Sequence, residues 1–262
     1  MSDDRASAEE RLVGADRVIA VLTELAEHPR GITLDELAGI LRSSKPTVHR
    51  ALATLRRAGL ADLMARGVYV LGDEYLRLAF RNLDGRPEHA RIQPLLQGLA
   101  EQFSETAHYA VLSGTDIVYR AKADPPRGAV RLTSVVGGRN PAYSTAVGKA
   151  LLSGRLRTVA EVAEWFGTAP LERKTPTTLV TSEELHRELE RSRERGFAVD
   201  DQENEVGINC VAIPVFLDGS AIPTGAVSVS AVSFRCPLER LVDAVPALRA
   251  AVSAHLGPDA VR

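Results

Sequence analysis

The chain has 262 residues, 45% of them hydrophobic and 25% charged, with a formal net charge of −2. That length holds one large or two ordinary domains with buried cores, and so small a net charge gives no bulk signature of nucleic-acid binding. Cys210 and Cys236 are the two cysteines and form no C-x-x-C, which argues against a disulfide scaffold or a cysteine-rich zinc site.

Residues 1–10 are polar and are expected to fray. From Leu12, apolar residues recur at Ala15, Val18, Ile19, Leu22, Leu25 and Ala26, the period of an amphipathic helix that His28-Pro29-Arg30-Gly31 ends. Thr33 with Glu36 predicts a capping box, in which both side chains satisfy amides that the first helical turn leaves unbonded. Leu34, Leu37, Ala38 and Leu41 then give a two-turn helix, and Arg42-Ser43 a tight turn. Ser44 is the expected N-cap of the next helix, with Pro46 in its first turn, where a missing N–H is harmless. There Val48, Ala51, Leu52 and Leu55 form the buried stripe. Lys45, Thr47, His49, Arg50, Thr54 and Arg57 lie off it, a set suited to base edges and phosphates in a major groove. Gly59 closes this helix. Leu60–Leu63 and Gly67–Leu71 read as a hairpin whose tip carries Arg66, within reach of a minor groove or a phosphate.

Two short helices across a tight turn, with a supporting helix and a hairpin, predict a winged helix-turn-helix over residues 11–72. Within 31–72 there are six basic residues against three acidic ones, an excess that supports DNA binding without establishing it. The competing reading is a three-helix protein-interaction module with solvated charges. A linker helix is expected over 73–87, with a boundary at Asp84-Gly85-Arg86-Pro87.

Residues 88–262 read as a second domain. A helix runs over Glu88–Phe103. Strands follow at His108–Leu112, Ile117–Ala123 and Ala129–Val135, then helices at Ser144–Ser153, Val159–Phe166 and Glu183–Arg195. Strands return at Phe197–Val199, Asn209–Phe216 and Gly225–Val232 before a last helix at Leu238–Leu256. Hairpins flanked by helices predict an α+β domain with an antiparallel sheet and a concave small-molecule pocket. The alternating charges of Glu183–Arg195 read as a solvated helix surface. Gly148-Lys149 is no P-loop, because Ala150 replaces the required hydroxyl and Tyr143 the leading glycine. No apolar run reaches membrane-spanning length and the charged N-terminus lacks a signal-peptide core, so a cytoplasmic location without membrane contact is expected.

The chain resembles the IclR family of bacterial transcriptional regulators from about Val13 to Leu256. Besides Lys45-Pro46-Thr47-Val48-His49-Arg50, the resemblance rests on three segments: Gly138–Ala150, Arg193–Glu205, and Gly207–Val215 with Ser228-Val229-Ser230 beyond. It implies a GAF-like effector domain, a homodimer through the N-terminal domains and often a homotetramer. It also implies double-stranded operator DNA as partner and repression of a catabolic operon as the usual outcome, without cofactor or metal. The effector is implied to be a small, usually carboxylate-bearing metabolite, and the 200–210 segment is most similar to the purine-catabolism (allantoin) branch. Carried over by position, its ligands are Gly128, Ala129, Asp200, Cys210, Ser228 and Ser230. Amides and hydroxyls there would donate to a carboxylate, and Asp200 would accept from a ligand hydroxyl or amide. The family's usual histidine is Tyr143 here, which puts contacts at that position in doubt.

Each of these residues also has a plainer reading. Cys210 could be a small buried apolar group, Asp200 part of a solvated turn, and the serines the wet face of a strand. The alternative from another class is an enzyme with Cys210 as nucleophile and His108 or His186 as base, although no local pattern supports that pairing.

Overall fold

The computed structural model describes residues 14–85, 87–125, 132–167, 171–217 and 219–262. It divides into two compact units with the boundary between Arg86 and Pro87. The first unit holds α1 (Gly14–Glu27), β1 (Ile32–Thr33), α2 (Leu34–Ile40), α3 (Lys45–Arg57), β2 (Ala61–Leu63), β3 (Val68–Leu71) and α4 (Asp73–Asp84). Its core joins Val21 and Leu25 of α1, Leu37 of α2, and Val48, Leu52 and Leu55 of α3. Each such side chain contributes about 1.5–3 kcal/mol by leaving water. Ile19 stays exposed, outside the stripe expected for α1.

The capping box forms as expected: the Thr33 hydroxyl accepts from Glu36 N, and the Glu36 carboxylate accepts from Thr33 N at 2.9 Å. Arg42 makes the reversal between α2 and α3 in the left-handed region (φ 45°), where Ser43 N reaches back to Ala38 O at 3.0 Å. The expected hairpin is present and gains a third strand, because β1 pairs antiparallel with β3 (Ile32 with Tyr69) to give the order β1-β3-β2.

The second unit contains α5 (Pro87–Phe103), β4 (Thr106–Ser113), β5 (Asp116–Ala123), β6 (Arg139–Pro141), α6 (Ala146–Ser153), α7 (Val159–Phe166), α8 (Ser182–Arg195), β7 (Ala198–Asp201), β8 (Ile208–Val215), β9 (Gly225–Val232), α9 (Leu238–Asp243) and α10 (Val245–Leu256). Six antiparallel strands lie in the order β6-β5-β4-β9-β8-β7. Side-chain alternation sorts the sheet into two faces. Val211, Ile213, Val215, Val227 and Val229 pack with Leu95, Leu96 and Leu99 of α5 and Leu248 and Val252 of α10. On the other face Ala110, Ala212 and Ala226 are small enough for α6 to lie against the strands. Gly148 makes an equally close approach: a Cβ there would stand 2.1 Å from Ala142 O.

Three expectations need correction. Residues 129–131 of the expected strand lie outside the described residues, and Leu132–Val135 is not a strand. Its carbonyls are satisfied by a side chain instead of a ladder, with Lys122 Nζ donating to Leu132 O at 2.9 Å and Ser134 O at 2.8 Å. The last helix breaks at Ala244, where Pro246 starts α10 afresh. Finally, α8 is not a solvated surface. Leu185, Glu188, Leu189 and Ser192 form a buried stripe, and the Arg193 guanidinium donates to Ser153 O and Leu156 O at the end of α6. Charge alternation hid that stripe, because one of its four members is itself charged. Glu188 is bonded to Arg195 at 2.5 Å.

Candidate functional site

The sequence marked two surfaces, one on each unit. On the first, Ser44, Lys45, His49, Arg50 and Thr54 are exposed on α3, with Thr47 half-buried among them. Val48, Ala51, Leu52 and Leu55 turn the opposite side of the helix into the core, so the polar face is fixed by packing. Its side chains are chained together. Ser44 Oγ and Thr47 Oγ1 share a hydrogen bond of 2.7 Å, Arg50 Nη2 donates to Thr47 Oγ1 at 3.4 Å, and Thr54 Oγ1 donates to Arg50 O at 3.1 Å. Ser44 does stand at the N-cap, with extended backbone, but its hydroxyl caps no amide because Thr47 engages it. Lys45 Nζ lies 2.8 Å from Asp35 of α2. So exposed a pair is worth at most about 1 kcal/mol and yields readily to a phosphate. Arg66 is exposed in the turn between β2 and β3 and adopts φ 64°.

On the second unit a cavity of about 520 Å³ opens on the α6 face of the sheet. Asp200, Cys210, Ser228 and Ser230 all line it. Sheet register explains why. Asp200 pairs with Cys210, Cys210 with Ser230, and Ser230 with Thr106, forming one row across β7, β8, β9 and β4. A second row joins Ser228 to His108 and His108 to Lys122. Gly128 and Ala129 lie outside the described residues. Tyr143 is not among the lining residues: its hydroxyl donates to Glu172 O at 2.8 Å, tying the helix entrance to the 171–178 segment.

The cavity floor is polar and tightly held. Asp200 Oδ1 accepts from Glu203 N at 2.7 Å and Asn204 N at 3.3 Å. Burial pushes its carboxyl up to about 7, with the Glu203 carboxylate adding to the rise against the opposing pull of Lys149. His108 shares a hydrogen bond of 2.8 Å with Ser134 Oγ, and burial followed by the nearby Lys122 ammonium lowers it to about 3. It is therefore a neutral imidazole. Tyr119, whose ring lies 4.8 Å from that of His108, is pushed up to about 12 by burial.

Sequence reasoning missed the group beneath this floor. Lys149 of α6 is completely buried, and its ammonium contacts Glu203 Oε1 at 2.5 Å. Thr175 and Thr178 hydroxyls donate to Glu203 O at 3.2 and 2.7 Å, which fastens the 171–178 segment to the turn after β7. A lysine inside the apolar run Ala146–Leu152 was the available signal, and it was weighed only as part of a phosphate loop.

Burial also decides against the nucleophile reading. It raises the Cys210 thiol well above its usual value, whereas a reactive cysteine needs the reverse. His108 pairs with Ser134, and His186 Nε2 with the carbonyl of Arg157 at 3.1 Å. Among the described residues neither is hydrogen-bonded to Cys210.

Known proteins share both halves of this arrangement. The family model described as the IclR helix-turn-helix domain matches residues 14–62, and that of the bacterial transcriptional regulator IclR C-terminal matches residues 82–255. The HTH-type transcriptional regulator KdgR of Escherichia coli K12 is 33% identical over 245 residues, covering 92% of this chain and 91% of that protein. The Pca regulon regulatory protein of Pseudomonas putida is 32% identical over 214 residues, covering 82% of this chain and 72% of that protein. The crystal structure of an IclR transcriptional regulator from Alicyclobacillus acidocaldarius superposes with a TM-score of 0.78 at 28% identity, over 94% of this chain and 98% of that one. The chain belongs to the IclR family of bacterial transcriptional regulators, as a DNA-binding domain joined to an effector-binding domain and not as an enzyme.

Proposed function

We propose that this regulator represses a catabolic operon, and that a small carboxylate metabolite bound on the α6 face of the sheet changes its affinity for operator DNA. Ser44, Lys45, Thr47, His49, Arg50, Thr54 and Arg66 are the DNA contacts in this reading, and Asp200, Cys210, Ser228 and Ser230 the effector contacts. The observation that carries it is the convergence on one cavity of four side chains from three strands, in a unit separate from the one bearing the exposed face of α3. Ser228 is the sharpest of them, a buried hydroxyl that lines the cavity and makes no hydrogen bond among the described residues.

The effector must favour one of two arrangements of the DNA-binding units, since equal affinity for both would shift nothing. A homodimer reading a roughly palindromic operator fits this scheme, with two copies of α3 about one helical turn apart. The exposed Leu76 and Phe80 of α4 offer a surface for the second copy, and a tetramer would be a further association of dimers. The place of action is the cytoplasm, where the operator is. No helix among the described residues is long and apolar enough to cross a membrane.

DNA binding to the gene's own upstream region, measured across a salt series, tests the first half. Affinity is expected to fall steeply with salt, and Arg50→Ala to weaken it roughly 5- to 150-fold. Absence of binding at low salt sinks the reading. For the second half, Ser228→Ala is expected to leave effector-free DNA binding intact while raising the effector concentration needed for release.

A further inference from the structure

The geometry points to Asp200 as a proton acceptor coupled to effector binding: the anion enters the cavity together with one proton, which Asp200 takes up and donates back to the bound carboxylate. This rests on the carboxylate reading above and specifies its regulation.

The floor is a poor place for a second negative charge. Asp200 is buried, and both hydrogen bonds given to it fall on Oδ1 from the amides of Glu203 and Asn204. Among the described residues no cation forms an ion pair with it. Among the described residues, the buried ammonium nearby, Lys149, is bonded to Glu203, whose other oxygen, Oε2, is itself buried without a hydrogen-bond partner. With both carboxylates ionised, Asp200, Glu203 and Lys149 therefore carry one net negative charge beside the cavity.

Among the described residues, no other buried titratable group lining the cavity carries a positive charge to cancel it. Cys210 on β8 is held as the thiol, Tyr119 on β5 as the phenol, and His108 on β4 as the neutral ring. Glu205, from the turn after β7, lines the cavity and adds negative charge. Among the described residues, Lys174 and Arg139 are the cations that line the cavity; both are exposed to solvent, and Arg139 is engaged with Ser113 Oγ and Asp116. An arriving carboxylate thus meets a carboxylate in a desolvated site, and such a pair is stable when one of the two is protonated. The step balances simply: one proton from solvent binds Asp200, no covalent bond in the effector changes, and release of the effector returns the proton.

The test uses the full chain. Carboxyl-carbon NMR of aspartate-labelled protein, with Asp200→Asn to assign the resonance, is expected to show Asp200 titrating near neutrality and its midpoint rising when an anion is bound. Calorimetry with acetate, pyruvate, malonate and benzoate, each at pH 8 in two buffers of different ionisation heat, counts protons and is expected to give close to one per bound anion. Wild-type affinity should then fall about tenfold per pH unit above the midpoint. Asparagine keeps the Oδ1 acceptor for both amides, so Asp200→Asn is expected to fold, and any anion it still binds, at whatever affinity, should enter with no proton uptake and no such slope.

An Asp200 midpoint below about pH 5 in the free protein, or an anion that binds and releases DNA with no proton uptake, overturns the inference and leaves the carboxylate reading standing. Failure of all four anions to bind at any pH overturns both. Should Asp200→Asn not fold, the wild-type proton count decides alone.

Discussion

His108 and Asp200 share one cavity and are displaced from their usual values in opposite senses. Between pH 6.5 and about 3 the unfolded chain binds a proton at His108 that the native protein refuses, so this residue's contribution to stability is full above pH 6.5 and lost as pH falls. Asp200 behaves in reverse. Its contribution is full below pH 3.8 and lost as pH rises through about 7, because the native protein keeps a proton the unfolded chain releases. Melting temperature followed from pH 4 to 8 should therefore show His108→Gln flattening the acid-side loss and Asp200→Asn gaining on wild type at the alkaline end. Curves parallel to wild type would rule out these two groups as the source. Neither shift was legible from residue type, since both come from burial that depends on neighbouring strands. What could be read was the alternation putting Ser228 and Ser230 on one face. The family resemblance supplied Asp200 and Cys210, and the register then showed why they meet.

Among the elements, those of the first unit were the most readable. Val48, Ala51, Leu52 and Leu55 marked the buried side of α3, and Thr33 with Glu36 marked the start of α2, because both signals depend on residues a turn or two apart. Strand β1 escaped notice, since two residues carry no periodicity and Ile32 becomes a strand only by pairing with Tyr69 of β3. The Leu132–Val135 segment failed for a related reason: what fixes its backbone is the ammonium of Lys122, which no local pattern announces. Helix α4 exposes Tyr75, Leu76, Leu78 and Phe80, large apolar groups that water leaves unsatisfied. If this face meets a second copy, Phe80→Glu should give monomers in sedimentation and weaken operator binding at least tenfold, with the helical content unchanged. Dimers of normal affinity would exclude α4 from the contact.

At the scale of the molecule, the two cores share no residue among those described, one built around α3 and the other around the six-stranded sheet. Heating is accordingly expected to give two calorimetric transitions. Operator DNA should raise one and a binding carboxylate the other, each by mass action on its own folded unit. A single transition moved equally by both ligands would mean that the units unfold together. The α+β class and the antiparallel sheet could be inferred from the run of hairpins and helices. The strand order could not, because β4 and β9 become neighbours across more than a hundred residues of intervening chain.

The 171–178 segment also bears on how such a regulator could change its ligand. Three threonine hydroxyls hold it to the turn after β7: Thr175 and Thr178 on the carbonyl of Glu203, and Thr177 on those of Asp201 and Gln202. Residue 174, next to these anchors, faces the cavity and makes no hydrogen bond or ion pair among the described residues. Fastening and cavity lining thus reside in adjacent but different side chains. If the cavity takes the proposed effector, substitutions at Lys174 are expected to alter which metabolite is admitted while the threonine anchors preserve the wall, so a library at this position explores new ligands at little structural risk.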